Sequence, residues 1–367
     1  MKKSILILSN HFITLYNFRK ELIQKLIDEE HEVFISITKS EENKFFSDMG
    51  CNIIETNVDR RGINPIKDAK LILDYIKIMK SIKPDIIFSY TIKPNIYGSI
   101  ASNITKYKQV SNITGTGGTF LKKSILSWIA KILYKISIKK SYKVFFQNSG
   151  DKDFFVENKM VKDNYEMLPG SGVNLEKYKL CEFPSGDEIN FIFIGRVMEI
   201  KGIDEYLGAA KQIKQKYRNV NFYVAGFIEE EKYESIIEEY NSRGIIKYIG
   251  FQKDIKSWIE KCHCTVLPSH GGEGVPNVLL ESSAIGRVCI ASNINGSRDV
   301  IDNGKTGYLF ETKNSKDLVE KIENVLNLDY KSQIEMGING RLKIEKVFDR
   351  NIIICEYLNK ISELEMV

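Results

Sequence analysis

The sequence predicts an α/β protein made of two doubly wound, Rossmann-like domains that face a central cleft. Short apolar runs alternate with helical patterns along the whole chain, which is typical of parallel sheets covered by helices on both faces. The alternation breaks once, at LCEFPSGDEI (180–189), and then restarts. The length of 367 residues exceeds one ordinary core and suits two domains of about 150–180 residues each.

The first domain is expected over residues 1–180. It begins with the apolar run SILILSN (4–10) and the amphipathic stretch NFRKELIQKLIDEE (17–30). The remaining strands predicted for this domain are EVFISIT (32–38), DIIFSYT (85–91), QVSNITG (109–115) and KVFFQNS (143–149).

A polar segment with proline and glycine, 181–188, is interpreted as the linker between the domains. The second domain is expected over 189–348, with GIDEYLGAAKQIKQKY (202–217) as its first helix. Its predicted strands are INFIFIGRV (189–197), NVNFYVAG (219–226), IKYIGF (246–251), CTVLPS (264–269) and VCIAS (288–292).

Composition restricts the class of protein. The chain is 43% hydrophobic and 28% charged, as in soluble globular proteins, and carries a mild net charge of +5. That charge favours an anionic ligand or membrane face, but its lysines are too scattered to indicate nucleic-acid binding. No run of 18 apolar residues predicts a transmembrane helix, and the N-terminal run is too short for a signal peptide, so we expect a cytoplasmic protein.

The sequence contains no clear metal-binding or standard nucleotide-binding motif. Cys262-His263-Cys264 has no second ligand pair at a useful distance, so we interpret it as the start of a strand and predict no metal site. The chain has neither GxGxxG after its first strand nor GxxxxGK[ST], so no dinucleotide fingerprint or P-loop is present. NITGTGGTF (112–120) fits a tight strand-to-helix turn and a ligand-facing loop equally well.

Polar residues cluster where the strands of the second domain are predicted to end, which is where open α/β sheets bind ligands. Gly195-Arg196 ends the first strand and Lys201-Gly202 opens the next helix. Two cations around one turn, with glycines that allow close backbone approach, suit a diphosphate. Such lysines and arginines are also common as plain solvated residues, so this turn carries weight only together with a second motif.

The stretch HGGEGVPNVLLE (270–281) supplies that second motif. Pro276 suits a first helical turn, and the N–H groups and dipole of a helix start attract negative charge. Glu273 precedes this helix, and Glu281 lies inside it among apolar residues, where a carboxylate requires a partner. A carboxylate accepts hydrogen bonds from two hydroxyls, so both acids suit recognition of a polyol.

Three motifs, GRVMEIKG (195–202), EGVPNVLLE (273–281) and GSRDVIDNGKTGYLF (296–310), resemble in type, order and spacing those of the retaining nucleotide-sugar glycosyltransferases of family 4, which have the GT-B fold. The resemblance covers nearly the whole chain and is strongest in the second half. The first half is similar to a subgroup that builds bacterial capsules and other surface glycans, through SNHFITLYNFRK (9–20), SYTIKPNIYGS (89–99), FQNSGD (146–151) and LPGSGVNLEKY (168–178).

The resemblance implies roles for the matching residues. Arg196 and Lys201 would hold the donor diphosphate and stabilise the charge on the departing nucleotide, Glu273 would contact hydroxyls of the donor sugar, and Glu281 would bind the ribose hydroxyls. The main-chain groups expected near the phosphate or sugar are those of Gly195, Gly274, Val275 and Asn277.

The resemblance also implies a mechanism. Family enzymes retain the anomeric configuration through front-face attack, in which the departing phosphate deprotonates the acceptor hydroxyl. Two cations and a helix start can neutralise the leaving group without a metal ion, and no DxD-type pair ends a predicted strand. We therefore expect metal-independent transfer without a cofactor. The last helix, 349–367, is expected to cross back to the first domain and to act in opening and closing the cleft.

The chain departs from the family pattern in its first domain. Many members carry a histidine near the donor sugar after a middle strand, whereas the histidines of this half are His11 and His31. Possible substitutes are Thr91, Lys93 and Thr116. His11, with Asn10, follows the first strand and either faces the acceptor or has a capping or packing role. Asn174, in LPGSGVN, stands where an acid is usual, which concerns the geometry of a turn rather than the chemistry.

The segment LKKSILSWIAKILYKISIKKSYK (121–143) predicts a basic amphipathic helix. Lys131, Lys135 and Lys139 share one face, and another face carries Ile125, Trp128, Ile129, Ile132 and Ile136. Such a helix either rests on an anionic bilayer, beside a polyprenyl-diphosphate-linked sugar, or packs its apolar face on its own sheet with the lysines in water.

The sequence thus favours a glycosyltransferase that moves a hexose or N-acetylhexosamine from a UDP-sugar to a lipid-linked saccharide in bacterial surface glycan or capsule assembly. Two alternatives share the architecture. One is a nucleotide-sugar 2-epimerase, which would need more acids and histidines in the first domain. The other is a non-catalytic nucleotide-sugar-binding subunit, which has no physical need for four converging polar groups.

Overall fold

The structure is a computed structural model that describes residues 1–58, 64–115, 120 and 125–365. The chain forms two compact units, Met1–Ser171 with Asn351–Val367, and Gly172–Arg350. Each unit is built around one parallel β-sheet with helices on its faces.

The first unit contains a seven-stranded sheet in the order β3-β2-β1-β4-β5-β6-β7, with every neighbouring pair parallel. The strand order therefore reverses between β1 and β4. The strands are β1 Ser4–Leu8, β2 Glu32–Ile37, β3 Asn52–Glu55, β4 Ile86–Tyr90, β5 Gln109–Ile113, β6 Lys143–Phe146 and β7 Tyr165–Met167.

The second unit contains a six-stranded parallel sheet in the order β10-β9-β8-β11-β12-β13, which reverses between β8 and β11. This is the doubly wound arrangement that the sequence predicts. The strands are β8 Ile189–Ile194, β9 Val220–Ala225, β10 Lys247–Gly250, β11 Cys264–Leu267, β12 Val288–Ser292 and β13 Tyr308–Phe310.

Helices connect the strands of both sheets, and short 3₁₀ or π turns adjoin several of them. In chain order the helices are α1 Phe12–Phe18, α2 Lys20–Asp28, α3 Lys44–Asp48, α4 Pro65–Ile82, α5 Ser99–Thr105, α6 Ile125–Ser137, α7 Ser149–Glu157, α8 Ile203–Lys216, α9 Tyr233–Ser242, α10 Ile255–Lys261, α11 Asn277–Ile285, α12 Asn295–Val300, α13 Ser315–Leu326, α14 Tyr330–Val347 and α15 Arg350–Ser362.

Burial on both faces explains why the central strands are continuous apolar runs. In β1, Ile5 and Ile7 belong to the core on one face, whereas Leu6 and Leu8 belong to the core on the other, and all four are inaccessible to solvent. Successive side chains of a strand point to opposite faces, so a doubly covered strand has no polar side.

The strands that the sequence did not predict are β3, β7 and β13, which lie at sheet edges. They are three or four residues long and their side chains are half-buried or exposed, apart from Phe310. An edge strand of this length carries no extended apolar run, so it leaves little periodic signal.

The two compact units do not divide at residue 180 or within the expected linker, 181–188. The first crossing lies at Ser171–Gly172 and the return at Arg350–Asn351. Val173 N–H donates to the Phe348 carbonyl at 2.8 Å, and the buried Arg287 guanidinium donates to the carbonyls of Cys181 and Glu182. The polar segment 181–188 is therefore a surface loop that is hydrogen-bonded to the second unit, and it does not act as an independent linker.

The stretch Cys262-His263-Cys264 leads directly into strand β11, which begins at Cys264. His263 is buried, and its Nδ1 accepts a hydrogen bond from the Asn190 N–H at 3.2 Å. Burial, assisted by the nearby Arg287 charge and opposed by a hydrogen bond with Pro184, lowers the pKa of His263 to about 4. The imidazole is therefore neutral in the folded protein near pH 7.

This histidine predicts a pH dependence of stability. In the unfolded chain the pKa of His263 returns to its ordinary value near 6.5. Between about pH 6.5 and 4 the imidazole is therefore protonated in the unfolded chain but not in the folded one, so stability decreases as pH falls. The free energy of unfolding should thus decrease by on the order of 3 kcal/mol as pH falls through that range, because of His263 alone. His263→Asn, which keeps an acceptor for the Asn190 N–H, should flatten this dependence in urea unfolding midpoints. Parallel pH profiles of wild type and variant would contradict the assignment.

Candidate functional site

The candidate site of the second unit lies at the carboxyl ends of β8 and β11, the two strands between which the strand order reverses. Loops that follow such a pair diverge to opposite faces of the sheet and leave a crevice for a ligand. The loop after β8 leads through Lys201 to α8, and the loop after β11 leads through the glycine-rich stretch to α11.

Glycines set the distance between these loops. Gly202 has φ +73°, and a Cβ on it would overlap the carbonyl oxygen of Pro268, so the β8 and β11 loops meet backbone to backbone. A Cβ on Gly296, at the start of α12, would likewise overlap the carbonyl oxygen of Gly274. Only glycine fits such contacts, and they bring three loops together within one rigid cluster.

The close loops bring two sequence-predicted residues into contact. Lys201 Nζ donates a hydrogen bond to Glu273 Oε1, across 72 positions of sequence. Ser269 Oγ donates to the same oxygen at 3.0 Å. Both charged side chains are about one-fifth exposed, at 22% and 20%, so each remains accessible to a ligand.

Arg196, the second predicted cation, lies at the end of β8. Its Nη1 is 3.3 Å from Glu229 Oε1, and 40% of its side chain is exposed. Glu229 comes from the segment after β9, and Glu229 N–H donates to the Val197 carbonyl at 3.1 Å. Glu229 carries no sequence signal for this contact, because no local pattern relates it to a residue 33 positions away.

The predicted helix start is in place. α11 begins at Asn277 after Pro276, and of the side chains that the structure describes none caps it. The half-buried Asn277 and the buried Gly274 lie at this end. Val275 is also buried and its side chain belongs to the core, so its main chain is the part of it that a ligand could meet. Gly195 N–H, by contrast, donates to the Ala225 carbonyl at 2.9 Å.

Glu281 lies on α11, one turn after its start. The residue is half-buried, but its carboxyl group is enclosed, and this burial raises its pKa above the ordinary range. A hydrogen bond with the Tyr178 hydroxyl and the charges of Lys177 and Arg350 oppose that rise. Tyr178 is the partner that the buried acid requires, and it lies 103 residues away in the sequence.

A second acid-base pair supports the glycine-rich loop. His270 Nε2 and Glu205 Oε2 are 2.9 Å apart, with side chains 8% and 10% exposed, and His270 N–H donates to the Ile200 carbonyl. The pair ties the β11 loop to the first turn of α8, beside Lys201. The sequence gives no signal for this pair, because Glu205 resembles an ordinary surface acid of an amphipathic helix.

The first-unit candidates lie at the ends of β1 and β4, which pair in parallel at the reversal point of their own sheet. His11 is the N-cap of α1, and its Nδ1 accepts from the Ile13 N–H at 3.2 Å. The Asn10 carbonyl accepts a hydrogen bond from the Thr38 hydroxyl at 3.3 Å. The structure thus gives His11 the capping role.

Thr91 and Lys93 follow β4. Thr91 has φ +73°, a strained conformation for a β-branched residue, and within the described ranges its buried hydroxyl has no hydrogen-bond partner. Lys93 Nζ contacts Asp68 Oδ1 at 2.8 Å, with both side chains nearly buried. Thr116 lies outside the described residues.

Neither a metal site nor a membrane-spanning helix is found in the described part of the chain. No group of three or more histidine, cysteine, aspartate or glutamate side chains there has the geometry of a metal site. None of the helices in those residues combines the length and the apolar character needed to cross a membrane.

Comparison with known proteins follows the same division of the chain. Residues 4–148 match the family model "Glycosyl transferase 4-like", and residues 182–343 match "Glycosyl transferases group 1". The chain is 28% identical, over 96% of both sequences, to the N,N'-diacetylbacillosaminyl-diphospho-undecaprenol alpha-1,3-N-acetylgalactosaminyltransferase of Campylobacter jejuni. It is also 28% identical to the capsular polysaccharide biosynthesis glycosyltransferase CapM of Staphylococcus aureus, over 80% of each chain.

A solved structure supports the fold. Anabaena Alr3699/HepE, in complex with UDP and glucose, has a TM-score of 0.80 over 98% of this chain and 100% of its own, at 15% identity. Together with the two family models, which cover most of the sequence, this establishes the assignment: the chain belongs to the group 1, family 4-like glycosyltransferases and has the GT-B fold.

Proposed function

We propose that this glycosyltransferase moves a hexose or N-acetylhexosamine from a UDP-sugar to a polyprenyl-diphosphate-linked saccharide in bacterial surface glycan or capsule assembly, with retention of configuration. The observation that carries the proposal is the contact between Lys201 and Glu273. It joins the loop after β8, which also carries Arg196, to the loop after β11, which leads into α11. A nucleotide sugar presents a diphosphate next to a polyol, and this cluster presents cations next to a carboxylate.

Lys201 suits a bridging role. An ammonium group has three N–H donors, so Lys201 can keep its hydrogen bond to Glu273 and still donate to oxygens of a diphosphate. Glu273 accepts from Lys201 and Ser269 through one oxygen, and a carboxylate has several acceptor positions through which it can also meet hydroxyls of the donor sugar. The pair would therefore fix the sugar relative to its leaving group.

The transfer itself needs stabilisation of the departing nucleoside diphosphate. The acceptor hydroxyl attacks the anomeric carbon from the face of the leaving group, the bond from that carbon to the β-phosphate oxygen breaks, and the departing phosphate takes the hydroxyl proton. Negative charge grows on the phosphate oxygens, and fixed cations and helix N–H groups stabilise it in the transition state. In this proposal Arg196, Lys201 and α11 supply that charge, and no metal ion or cofactor takes part.

The nucleoside end would be held by Glu281. A carboxylate accepts hydrogen bonds from the two ribose hydroxyls at once, and Tyr178 fixes the orientation of this one. Main-chain groups of Gly195, Gly274, Val275 and Asn277 complete the proposed donor site. Uridine is the proposed base, in keeping with the solved structure of Anabaena Alr3699/HepE in complex with UDP and glucose.

The acceptor proposal draws on the relatives. The Campylobacter relative is named for an undecaprenyl-diphosphate-linked acceptor, and the Staphylococcus relative for capsular polysaccharide biosynthesis. The first-unit strand ends, with Asn10, His11, Thr91 and Lys93, are the proposed acceptor side. Thr116 remains a candidate on sequence grounds, and the α15 helix remains a candidate element for opening and closing.

One assay tests this function against its alternatives. The purified chain is incubated with a panel of UDP-sugars and polyprenyl-diphosphate-linked saccharides, and UDP release and glycosylated lipid are measured. Acceptor-dependent UDP release with a retained anomeric configuration in the product supports the proposal. An epimerised donor without acceptor identifies an epimerase, and nucleotide-sugar binding without turnover identifies a binding subunit.

Removing either cation should nearly abolish turnover. Lys201→Ala and Arg196→Ala should each lower kcat by about 10²–10³-fold, since each removes charge that stabilises the leaving group. Lys211→Ala, at an exposed lysine on α8, is the matched control and should retain wild-type kinetics. Circular dichroism of each variant confirms folding, and wild-type kcat in the Lys201 and Arg196 variants would remove the site assignment.

Replacing the buried acid should weaken nucleotide binding. Glu281→Ala should raise the Kd for UDP about tenfold or more, because hydrogen bonds to a charged group are lost. Since burial raises the Glu281 pKa, wild-type affinity should fall with decreasing pH at a higher pH than for an exposed glutamate, and Glu281→Gln should lack that component. Glu335→Ala, at an exposed acid of α14, is the control. Calorimetric titration with UDP gives both quantities, and identical pH profiles would contradict the role.

Transfer should not require a divalent cation. Treatment with excess EDTA, followed by desalting, should leave kcat within about twofold of the untreated enzyme, because Arg196 and Lys201 supply the positive charge. Loss of activity that Mg²⁺ or Mn²⁺ restores would show that the cations alone are insufficient.

A further inference from the structure

Helix α6 exposes large apolar side chains that an ordinary surface helix would bury. The side chains that it buries include Ser127, Tyr134 and Ser137. Five of its large apolar side chains are exposed, with accessible fractions between 36% and 77%; these residues, here called the apolar stripe, are Ile125, Trp128, Ile129, Ile132 and Ile136. The sequence left open whether this apolar face packs on its own sheet, and in the structure it does not.

The stripe is continuous. At 100° per residue, its five positions fall within an arc of about 100° on the helix surface. The opposite side is fixed to the first unit: Tyr134 packs on Phe155, with ring centroids 5.1 Å apart, and Asn103 Nδ2 donates to the Ser137 carbonyl at 2.9 Å. Because Tyr134 is held inside, the helix cannot turn its apolar residues inward. Contiguous exposed apolar surface of this kind marks an interaction site.

The charge around the stripe indicates the partner. From Ile86 to Gly150 the sequence contains ten lysines and no aspartate or glutamate. Lys135 lies at the edge of the apolar arc and is exposed, as is Lys140 just beyond the helix. Lys131, expected on the same basic face, instead lies over the Phe154 ring and contacts Asn158.

We propose that the apolar stripe of α6 is a docking surface for a bilayer that contains anionic lipids. A helix lying in the membrane interface buries tryptophan and aliphatic side chains at the boundary of the acyl chains, while flanking lysines extend to the phosphate groups. A second copy of the chain fits less well, because face-to-face pairing would bring the two lysine-rich surfaces together.

This surface is independent of the donor site, and it complements the proposed function, because a polyprenyl-linked acceptor remains in the bilayer. Docking through α6 would keep the first unit beside the layer in which the acceptor diffuses. The two proposals fail separately: membrane binding is measured without any substrate, and transfer is measured with a short-chain, water-soluble acceptor analogue.

The test uses the full chain and vesicles of two compositions, phosphatidylcholine alone and phosphatidylcholine with about one third phosphatidylglycerol. The chain contains two tryptophans, Trp128 and Trp258, so Trp258→Phe leaves Trp128 as a single probe in the stripe. We expect sedimentation with the anionic vesicles at least about tenfold above that with phosphatidylcholine, weakening with salt, and a blue shift of Trp128 emission on binding.

Matched variants separate the stripe from general charge. Ile132→Glu with Ile136→Glu should lower binding to anionic vesicles by at least about tenfold, whereas Ile66→Glu with Leu73→Glu, at exposed positions of α4, adds the same charge and should retain binding. Equal binding of both double variants, or an unshifted Trp128 emission in vesicle-bound protein, would overturn the proposal. Concentration-dependent dimerisation that only the α6 variant abolishes would assign the stripe to a second copy instead.

Discussion

The backbone contact between the loops that follow β8 and β11 is the constraint on which the candidate donor site depends. Gly202, in a left-handed conformation, lies so close to the Pro268 carbonyl that no side chain fits between them. This contact brings the turn that carries Lys201 against the loop that carries Glu273. Parallel strands end at one edge of a sheet, but only such a close approach converts neighbouring strand ends into one cluster of interacting side chains.

The polar residues of this cluster fall into two groups: buried pairs that hold the loops in place, and partly exposed cations that a ligand can reach. His270 and Glu205 are nearly buried and connect the β11 loop to α8, and Tyr178 meets the enclosed carboxyl group of Glu281. Lys201 and Arg196 keep more exposure. Buried pairs fix loops because an unpaired buried charge is costly, whereas partly exposed cations stay available to an anionic ligand. Preorganised charge of this kind is what transition-state stabilisation of a leaving phosphate requires.

The first unit presents a different surface. Its central strands are buried on both faces, and its strand ends carry the strained Thr91 and the Lys93–Asp68 pair. On its surface, α6 exposes apolar side chains because Tyr134 anchors the opposite side of the helix. The proposed acceptor side, at the strand ends, and the proposed membrane surface, on α6, thus lie on separate elements of this unit.

By itself the sequence determined the doubly wound fold and the central strands, and it supplied the residues proposed to hold a diphosphate, because apolar runs, glycine-rich turns and cations at strand ends are local patterns. It did not reveal the edge strands, the boundary at Ser171, or the partners Glu229, Tyr178 and Glu205. Those depend on contacts between residues far apart in the chain. For α6, periodicity placed the isoleucines and Trp128 on one face, but it could not say which face is buried. The tertiary structure decided that, because the neighbouring aromatic core accommodates Tyr134 and leaves the apolar stripe in solvent.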